Sequence, residues 1–443
     1  MKRAIIDELK KWKMTANKKP LIIKGARQVG KTFIMKEFGQ REYKQCHYFN
    51  FEQNFKEISK IFERDFDPNR IISELEFVIE KNIHQDSDLL IFDEIQEIPK
   101  ALTSLKYFQE KMPNLDIMVA GSLLGVTLNS ESFPVGKVSF LDMYPMTFEE
   151  FLLGIGEEKL YNYMQKNRNI KYLPEIIHNK MWEKFKVYLI TGGLPEVVQT
   201  YVDNKDNLLK AFNEVRKKQN DLVTAYQADM AKHSGKENAL HIERLWQSIP
   251  SQLAKELDGK STKFILKKAI SGIRGYARLA GTIDWLKSAG LIIKVDLISK
   301  PEHPLKAFSD ETSFKLYMFD VGILGALSNL PYKVILDYDY GSYKGYYAEN
   351  VVAQEFNART DSRLYYWKGR TSEIEFIRCL DDDIVPIEVK AGKVTRSKSL
   401  SVYLEKYNTN NAALISAKNL SLKNDTKVKN IPLYWLANFI NCF

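Results

Sequence analysis

Cysteine and histidine are scarce in this sequence of 443 residues, which contains three cysteines and six histidines. Cys46, Cys379 and Cys442 lie far apart and form no CxxC pair. This spacing excludes a disulfide framework and a zinc knuckle. The histidines show no spacing typical of metal ligands either. We therefore expect a protein of a reducing, cytoplasmic setting.

Long apolar runs are also missing from the sequence. The first residues, MKRAIIDELKKWKM, are charged throughout and lack the apolar core of a secretory signal. No segment approaches the roughly 20 apolar residues that a membrane-spanning helix needs, so no membrane partner is expected. Charge of one sign is only slightly in excess, since 65 Lys and Arg face 56 Asp and Glu, a net charge of +9. This balance is compatible with a nucleic-acid partner without requiring one.

The length predicts about three domains at roughly 150 residues each. In the first part of the chain, short apolar runs alternate with amphipathic segments, a pattern typical of parallel strands joined by crossover helices. The sequence thus predicts an α/β domain with a parallel sheet and helices on both faces. The expected helices include residues 4–14 and 32–38, and the expected strands are 21–23, 46–51, 89–92 and 116–120.

The remainder of the chain changes character twice. A mostly helical pattern runs from residue 148 to about 330 and ends with a helix over 282–289 and two strand-like runs, 291–298 and 314–319. Helices followed by a hairpin favour a winged helix. The last part is α+β, with a helix over 346–356 and β runs at 364–367, 373–378 and 384–390. The expected domains are 1–155 (α/β), 156–235 (helical linker), 236–330 (winged helix) and 331–443 (C-terminal domain).

Residues 25–32, GARQVGKT, match the phosphate-binding loop GxxxxGK[ST] at every fixed position, between an apolar strand and a helical pattern. Glycines allow the backbone N–H groups to surround phosphates, and the helix N-terminus favours negative charge. We expect Lys31 to contact the β- and γ-phosphates of ATP and Thr32 to bind Mg²⁺. The expected nucleotide-binding residues are Gly25, Ala26, Arg27, Gln28, Val29, Gly30, Lys31, Thr32 and Phe33.

An acidic pair follows the apolar run 89–92. Asp93 stands where this strand ends, and ligands of parallel sheets bind at the carboxyl ends of the strands. We expect Asp93 to hold Mg²⁺ and Glu94 to polarise the attacking water, and the expected catalytic residues are Lys31, Asp93, Glu94 and Ser122. Apolar strands often end in acidic residues, so this pattern gains its meaning from the phosphate loop.

Two further candidates for the ATP site are less specific. Ser122 follows the strand 116–120 and either contacts the γ-phosphate and the water or serves as a turn or N-cap serine. No arginine finger is evident in the sequence. Lys137 is either a basic partner of the γ-phosphate or an ordinary solvated lysine. The sequence leaves these alternatives open.

Several motifs together resemble a family of prokaryotic AAA-type ATPases that carry a C-terminal domain. In the first part of the chain these are GARQVGKT, LLIFDEIQEIP, VAGS and LDMYPMTFEEF. They continue with TGGLPEVVQTY at 191–201, KLYMFDVGILGAL at 315–327, GYYAENVVAQEF at 345–356 and IVPIEVKAG at 384–392. The resemblance implies a P-loop ATPase domain, a helical lid with a winged helix, and a C-terminal domain similar to PD-(D/E)XK nucleases. Gly193-Leu194-Pro195 also resembles the nucleotide-sensing turn of signalling ATPases, and a proline-started helix explains it equally well.

The C-terminal strands carry charged residues at alternate positions. Glu388 and Lys390 share one strand face, and a hairpin around 381–383 would bring Glu375 to the same surface. With Glu349 from the preceding helix, these carboxylates would form a second Mg²⁺ or Mn²⁺ site. The metal would activate water for attack on a phosphodiester, and Lys390 would stabilise the developing charge. A charged outer face stabilised by Glu–Lys pairs is the alternative.

The chain departs from the family pattern at two positions. Ala26 replaces the proline that often follows the first loop glycine, and Glu373-Ile374-Glu375 replaces the usual Glu-Val-Asp. The longer Glu375 side chain extends its carboxylate by one methylene, which weakens the prediction of strong nuclease activity.

Basic residues supply candidate DNA contacts in the later domains. The segment 391–430 contains eight Lys and Arg against two Asp and Glu, and Arg274, Arg278 and Lys287 lie near the expected recognition helix of the winged helix. A solvated basic surface and a protein-docking winged helix remain alternatives.

The sequence therefore predicts Mg²⁺-dependent ATP binding and hydrolysis that controls a DNA-directed, nuclease-like C-terminal domain. One alternative is a slow, nucleotide-switched binding or assembly module whose nuclease-like domain is inactive. Another is a metal-dependent nuclease for which ATP is only regulatory. Besides ATP, the partners left open are DNA, a second copy of the chain and a different protein.

Overall fold

The computed structural model describes most of the chain in two compact units. The first unit comprises Arg3–Tyr144 with Ser288–Gly290, and the second comprises Pro145–Lys287 with Leu291–Phe443. The described residues are 2–121, 133–134, 136–257, 263–270, 275–337, 343–359, 363–380, 382–392, 397–422 and 426–443, without the side chains of 233, 236, 237, 256, 257, 343 and 344.

A parallel sheet forms the centre of the first unit. Its strands are β1 Leu21–Lys24, β2 Gln45–Asn50, β3 Asp88–Asp93, β4 Asp116–Ala120 and β5 Ser139–Asp142. They lie in the order β2-β3-β4-β1-β5, and every pairing is parallel. All residues of β3 and β4 are buried, as expected of central strands in a parallel sheet. The parallel α/β prediction is confirmed, and the edge strand β5 is an addition to it.

Helices of the first unit pack against this sheet. They are α1 Ile5–Met14, α2 Lys31–Glu42, α3 Phe55–Arg64, α4 Pro68–Ile79 and α5 Pro99–Lys111. Phe62 of α3, Phe92 of β3 and Phe108 of α5 belong to one apolar cluster. Their rings meet edge to face, with Phe92 lying 6.2 Å from Phe62 and 6.4 Å from Phe108. This packing fixes the strand whose last residue is Asp93.

The first helices of the second unit form its larger helical part. They are α6 Phe148–Gly154, α7 Glu158–Lys166, α8 Glu175–Thr191, α9 Pro195–Asn204, α10 Leu208–His233, α11 Lys236–Leu257, α12 Leu266–Ala269 and α13 Ala280–Ser288. Four more follow, α14 Val321–Leu327, α15 Tyr332–Asp337, α16 Tyr343–Asn357 and α17 Lys398–Tyr407. α6 begins with a capping box, in which Thr147 and Glu150 satisfy each other's backbone N–H groups. Among the described residues, no helix has the length and apolar composition needed to cross a membrane.

A mixed sheet of seven strands completes the second unit. The strands are β6 Ile292–Ile298, β7 Ser309–Met318, β8 Tyr365–Lys368, β9 Glu373–Leu380, β10 Asp383–Val389, β11 Ala412–Ser416 and β12 Val428–Pro432. Their order is β12-β11-β10-β9-β8-β6-β7. The β6–β7, β8–β9 and β9–β10 pairs are antiparallel, and the other three are parallel.

The β6–β7 hairpin bears on the predicted domain boundaries. The sequence assigns this hairpin to a winged helix that ends at residue 330. In the structure β6 pairs with β8, so the hairpin and the C-terminal strands belong to one sheet. Five of the seven residues of β6 are buried, and this apolar strand is suited to an interior position.

Candidate nucleotide-binding site and C-terminal carboxylate cluster

The phosphate loop joins β1 to α2, as its motif requires. Gly25 has a φ of +144°, and a Cβ at this position would lie 2.0 Å from the Met143 carbonyl oxygen. Gly30 has a φ of +99° directly before the first residue of α2. Glycine alone combines this φ with so close a backbone approach. The backbone path of the loop therefore requires glycine at positions 25 and 30, whether or not a phosphate is bound.

Buried residues and hydrogen bonds from Arg3 support the phosphate loop. Ala26 and Val29 are buried, whereas Gln28 is exposed and Arg27 is half-buried. Arg3 donates from its guanidinium to Val29 O at 2.9 Å and to Tyr144 O at 2.6 Å. Arg3 precedes α1 and has no motif of its own, so sequence reasoning missed this support.

The Lys31 ammonium lies inside the loop. The side chain is buried, and Nζ donates to Gly25 O at 2.8 Å and to Ala26 O at 2.9 Å. Burial lowers the pKa of Lys31 to about 8, against the opposing effect of the Glu94 and Asp93 carboxylates. A phosphate group would compensate this charge and compete with the two carbonyl oxygens for the ammonium.

Thr32 and Asp93 lie in direct contact, although they are 61 residues apart. The Thr32 hydroxyl donates to Asp93 Oδ2 at 2.7 Å, and Asp93 Oδ1 accepts the backbone N–H of Glu94 at 3.1 Å. The end of β3 thus brings the aspartate to the first turn of α2. A hydroxyl and a carboxylate are the hard oxygen ligands that Mg²⁺ prefers, and Mg²⁺ commonly takes its remaining ligands from water and phosphates. The pair therefore fits a nucleotide-bound Mg²⁺.

Tyr48 is a further partner of Asp93 that sequence reasoning missed. Its hydroxyl donates to the same Oδ2 atom at 2.9 Å. Burial and the nearby Asp93 carboxylate raise the pKa of Tyr48 to about 12, so this hydroxyl remains a donor at neutral pH. A tyrosine in the middle of β2 carries no motif signal, because its role arises only from the pairing of β2 with β3.

Glu94 adopts a left-handed backbone conformation with a φ of +54°. Its Oε2 accepts the side-chain amide of Gln96 at 2.5 Å, within the short turn that follows β3. The carboxylate expected to polarise water is therefore already hydrogen-bonded in this conformation. Phe33, the last predicted nucleotide contact, is 56% exposed.

Of the remaining candidates for the ATP site and for DNA contact, three lie in the described part of the chain and two do not. Lys137 pairs with Glu110, with 3.0 Å between the ammonium and the carboxylate oxygen. Arg278 and Lys287 are exposed. Ser122 and Arg274 lie outside the described residues.

The C-terminal carboxylates occupy adjoining positions on β9, β10 and α16. Glu388 is 1% exposed, and its Oε1 lies 2.6 Å from the Lys390 ammonium while its Oε2 accepts the Leu400 N–H at 3.2 Å. Glu375 accepts the Val389 N–H at 3.2 Å. Burial and the Glu349 and Glu388 carboxylates raise the pKa of Glu375 to about 8. The four residues Glu349, Glu375, Glu388 and Lys390 are therefore close enough to influence one another's charge, and the two neighbouring carboxylates favour the protonated form of Glu375.

Lys315 adds a second buried cation to this cluster. It lies on β7, is 2% exposed, and its Nζ is 3.8 Å from Glu349 Oε2 and in contact with Glu373 Oε1. Glu349 also accepts the Tyr317 hydroxyl at 2.8 Å. Each of these carboxylates has a donor from the protein. Among the described residues, no group of three or more His, Cys, Asp or Glu side chains is arranged to hold a metal ion.

A third polar arrangement joins two of the sequence motifs within the second unit. Asp320, from KLYMFDVGILGAL, is fully buried and accepts the Gly193 N–H at 2.6 Å and the Ile323 N–H at 3.0 Å. Burial raises the pKa of Asp320 to about 6. Gly193 O in turn accepts the Met146 N–H at 2.6 Å. The predicted Gly193-Leu194-Pro195 turn is thus held by a carboxylate about 130 residues further along the chain.

Three protein-family models together match most of the chain. Residues 17–152 match a family model described as an AAA domain. Residues 182–333 and 344–436 match two models that are each described as a domain of unknown function. No curated protein matches the chain.

The solved structures similar to this chain include three archaeal proteins. The Walker-type ATPase PABY2304 of Pyrococcus abyssi is 14% identical, with 73% of this chain and 94% of that chain covered and a TM-score of 0.44. The Cdc6p protein of Pyrobaculum aerophilum is 13% identical, with 75% and 93% covered and a TM-score of 0.28. The ORC1 protein of Aeropyrum pernix, solved in complex with DNA, is 13% identical, with 75% and 93% covered and a TM-score of 0.26.

The family model and the site geometry agree on the first unit. The match over 17–152 includes the phosphate loop, Asp93 and all five strands of the parallel sheet. Residues 17–152 therefore form an AAA-type P-loop domain, which is followed by a C-terminal region with a mixed sheet.

Proposed function

We propose that this protein binds and hydrolyses ATP with Mg²⁺ at the phosphate loop. The observation that carries the proposal is the 2.7 Å contact between Thr32 and Asp93 beside the Lys31 ammonium. Lys31 would leave the loop carbonyls for the β- and γ-phosphates, and the loop N–H groups would surround the phosphate oxygens. Thr32 and Asp93 would hold Mg²⁺, which neutralises charge on the phosphates. Glu94 would orient the attacking water once released from Gln96.

Phosphate release by the purified chain tests this proposal. The Lys31→Ala variant should lose turnover, because the ammonium that binds the phosphates is gone. Lys60→Ala, which removes an exposed lysine of α3 in the same unit, is the matched control and should retain turnover. Folding of each variant is checked by circular dichroism. A folded Lys31→Ala variant with wild-type turnover would contradict the proposal.

For the C-terminal region we propose metal-dependent action on DNA, controlled by the nucleotide state. The support is the group of buried carboxylates with Lys390, together with the basic segment 391–430. The described carboxylates are not arranged to hold a metal ion, so a divalent ion at Glu375 and Glu388, with Glu349 beside them, would require these side chains to rearrange. Such an ion would supply activated water for phosphodiester cleavage. Binding would have to displace the Lys390 ammonium and the protein N–H donors from these oxygens.

The second candidate function is a nucleotide-switched binding module without cleavage. The observation that favours it is the buried Lys315 ammonium beside Glu349 and Glu373. Two ammonium groups, those of Lys315 and Lys390, already compensate part of the cluster's negative charge, a role that a metal ion would otherwise have. The contact of Glu94 with Gln96 also favours slow turnover, because that carboxylate is engaged.

One experiment separates the two candidates. The chain is incubated with linear and circular DNA and Mg²⁺ or Mn²⁺, with and without ATP. Cleavage that disappears in Glu388→Gln, but persists when the exposed Glu405 of α17 is changed to Gln, supports the nuclease. No cleavage under any condition, with ATP-dependent DNA binding or self-association, supports the binding module.

A further inference from the structure

Asp93 is held by two hydroxyl groups that approach from different elements. Thr32 of α2 donates to Oδ2 at 2.7 Å, and Tyr48 of β2 donates to the same atom at 2.9 Å. The other oxygen, Oδ1, accepts the Glu94 N–H at 3.1 Å. Asp93 itself is 3% exposed. Both of its oxygens are therefore oriented by named donors, and rotation of the carboxylate would break these bonds.

Contacts with α2 and with a neighbouring residue of β2 hold the Tyr48 side chain in place. Lys36 of α2 places its ammonium 3.4 Å from the centre of the tyrosine ring. Asn50, two residues further along β2 and on the same strand face, donates its side-chain amide to the Tyr48 hydroxyl at 3.3 Å. Lys36 follows Thr32 by one helical turn, so both lie on one face of α2. The tyrosine ring thus bridges the helix that begins at the phosphate loop and the strand that ends at Asp93.

The two hydroxyls differ in what a metal ion would do to them. Thr32 would have two roles, because its oxygen would bind Mg²⁺ while its hydrogen is donated to Asp93, whereas the Tyr48 hydroxyl would serve Asp93 alone. During metal binding Tyr48 would thus be a donor that keeps Asp93 in place without binding the ion. Its removal would leave Thr32 as the named side-chain donor to Oδ2, and a less firmly oriented ligand binds a metal ion less tightly.

We propose that Tyr48 is a positioning residue, whose hydroxyl orients Asp93 for the Mg²⁺ that accompanies the nucleotide. The inference rests on the proposed ATP site and extends it. Tyr48 acts through Asp93, so its effect should appear in the linkage between Mg²⁺ and nucleotide. Binding of nucleotide without Mg²⁺ should be unaffected, because the loop N–H groups and Lys31 do not contact Tyr48.

The test measures the affinity of the full chain for a fluorescent ADP analogue, in EDTA and in Mg²⁺. The ratio of the two dissociation constants gives the Mg²⁺ linkage. Tyr48→Phe keeps the ring and the Lys36 contact and removes one hydrogen bond to a charged group. The linkage ratio should fall about tenfold, with the dissociation constant in EDTA within about twofold of wild type.

Tyr43→Phe is the matched control. The Tyr43 hydroxyl donates to Asp116 Oδ2 at 2.6 Å, a tyrosine–aspartate bond of the same kind at the start of β4. Its removal should leave the linkage ratio unchanged. Tyr48→Leu removes the ring as well as the hydroxyl. If the hydroxyl is responsible, Leu and Phe should lower the ratio equally, whereas a packing role makes Leu much worse than Phe.

The outcomes separate the inference from the function on which it rests. A wild-type affinity that does not depend on Mg²⁺ contradicts the proposed function, and the inference with it. A clear Mg²⁺ dependence that Tyr48→Phe leaves intact contradicts the inference alone. A loss of linkage in Tyr48→Phe but not in Tyr43→Phe supports both. The Mg²⁺ concentration for half-maximal ATP turnover should rise by the same factor.

Discussion

From the burial of Lys31 we predict that replacing this residue with an uncharged one stabilises the nucleotide-free protein. The pKa of Lys31 falls from its ordinary value of 10.5 to about 8 because the ammonium is buried. A lowering of this size disfavours the charged side chain by about 3 kcal/mol at neutral pH. Lys31→Met removes the charge and keeps a similar apolar stem.

Two hydrogen bonds offset part of the gain in the Lys31→Met variant. Gly25 O and Ala26 O lose their ammonium donor, at a cost of about 1 kcal/mol each. The expected net effect is a stabilisation of about 1 kcal/mol, which raises the unfolding temperature by about 3 °C. The gain should persist below pH 8, where Lys31 is charged in both states, and disappear towards pH 10.5, where it is neutral in both.

The same Lys31→Met substitution should weaken nucleotide binding. Loss of charge-assisted bonds to phosphate costs about 1.5–3 kcal/mol, or a factor of about 10 to 150 in affinity. Thermal unfolding and nucleotide titration are measured on the same preparations, with Lys60→Met as the exposed control. A variant that is less stable than wild type, yet binds ATP with wild-type affinity, would refute the reasoning.

Three further predictions concern the loop, the catalytic carboxylate and the second unit. Glu94→Gln should lower ATP turnover at least about 100-fold and change nucleotide affinity less than about threefold, because its role is confined to the water. Gly25→Ala should abolish nucleotide binding in a titration, since its Cβ would lie 2.0 Å from Met143 O. Asp320→Ala should lower the unfolding temperature, and more at pH 5 than at pH 8. The raised pKa of about 6 means that Asp320 contributes most below its unfolded pKa and that this contribution is lost as pH rises through 6, a difference of about 1 kcal/mol.

Local patterns were sufficient to predict the parallel sheet. The run Leu89–Phe92 is apolar because β3 is buried on both faces, and this property can be recognised from the residues alone. The meeting of Thr32 with Asp93 could also be predicted, because the carboxyl ends of parallel strands lie at one edge of a sheet.

Partners that depend on strand order could not be predicted in this way. Tyr48 reaches Asp93 because β2 lies beside β3, and Lys315 reaches Glu349 because β7 and α16 share one unit. Tyr48 belongs to no motif, the motif that begins at Lys315 gives that lysine no role, and both contacts join segments more than thirty residues apart. The pairing of β6 with β8 could not be predicted for the same reason, since it joins two segments that are far apart in the chain.

The Arg3 contacts have a practical consequence for anyone who shortens the protein. The AAA family model begins at residue 17, and a fragment cut there would look complete by its motifs. It would lack Arg3, which holds Val29 O of the phosphate loop, and Trp12, which holds Lys19 O before β1. An isolated ATPase fragment should therefore include Arg3 and Trp12 and carry its affinity tag at the end farther along the chain.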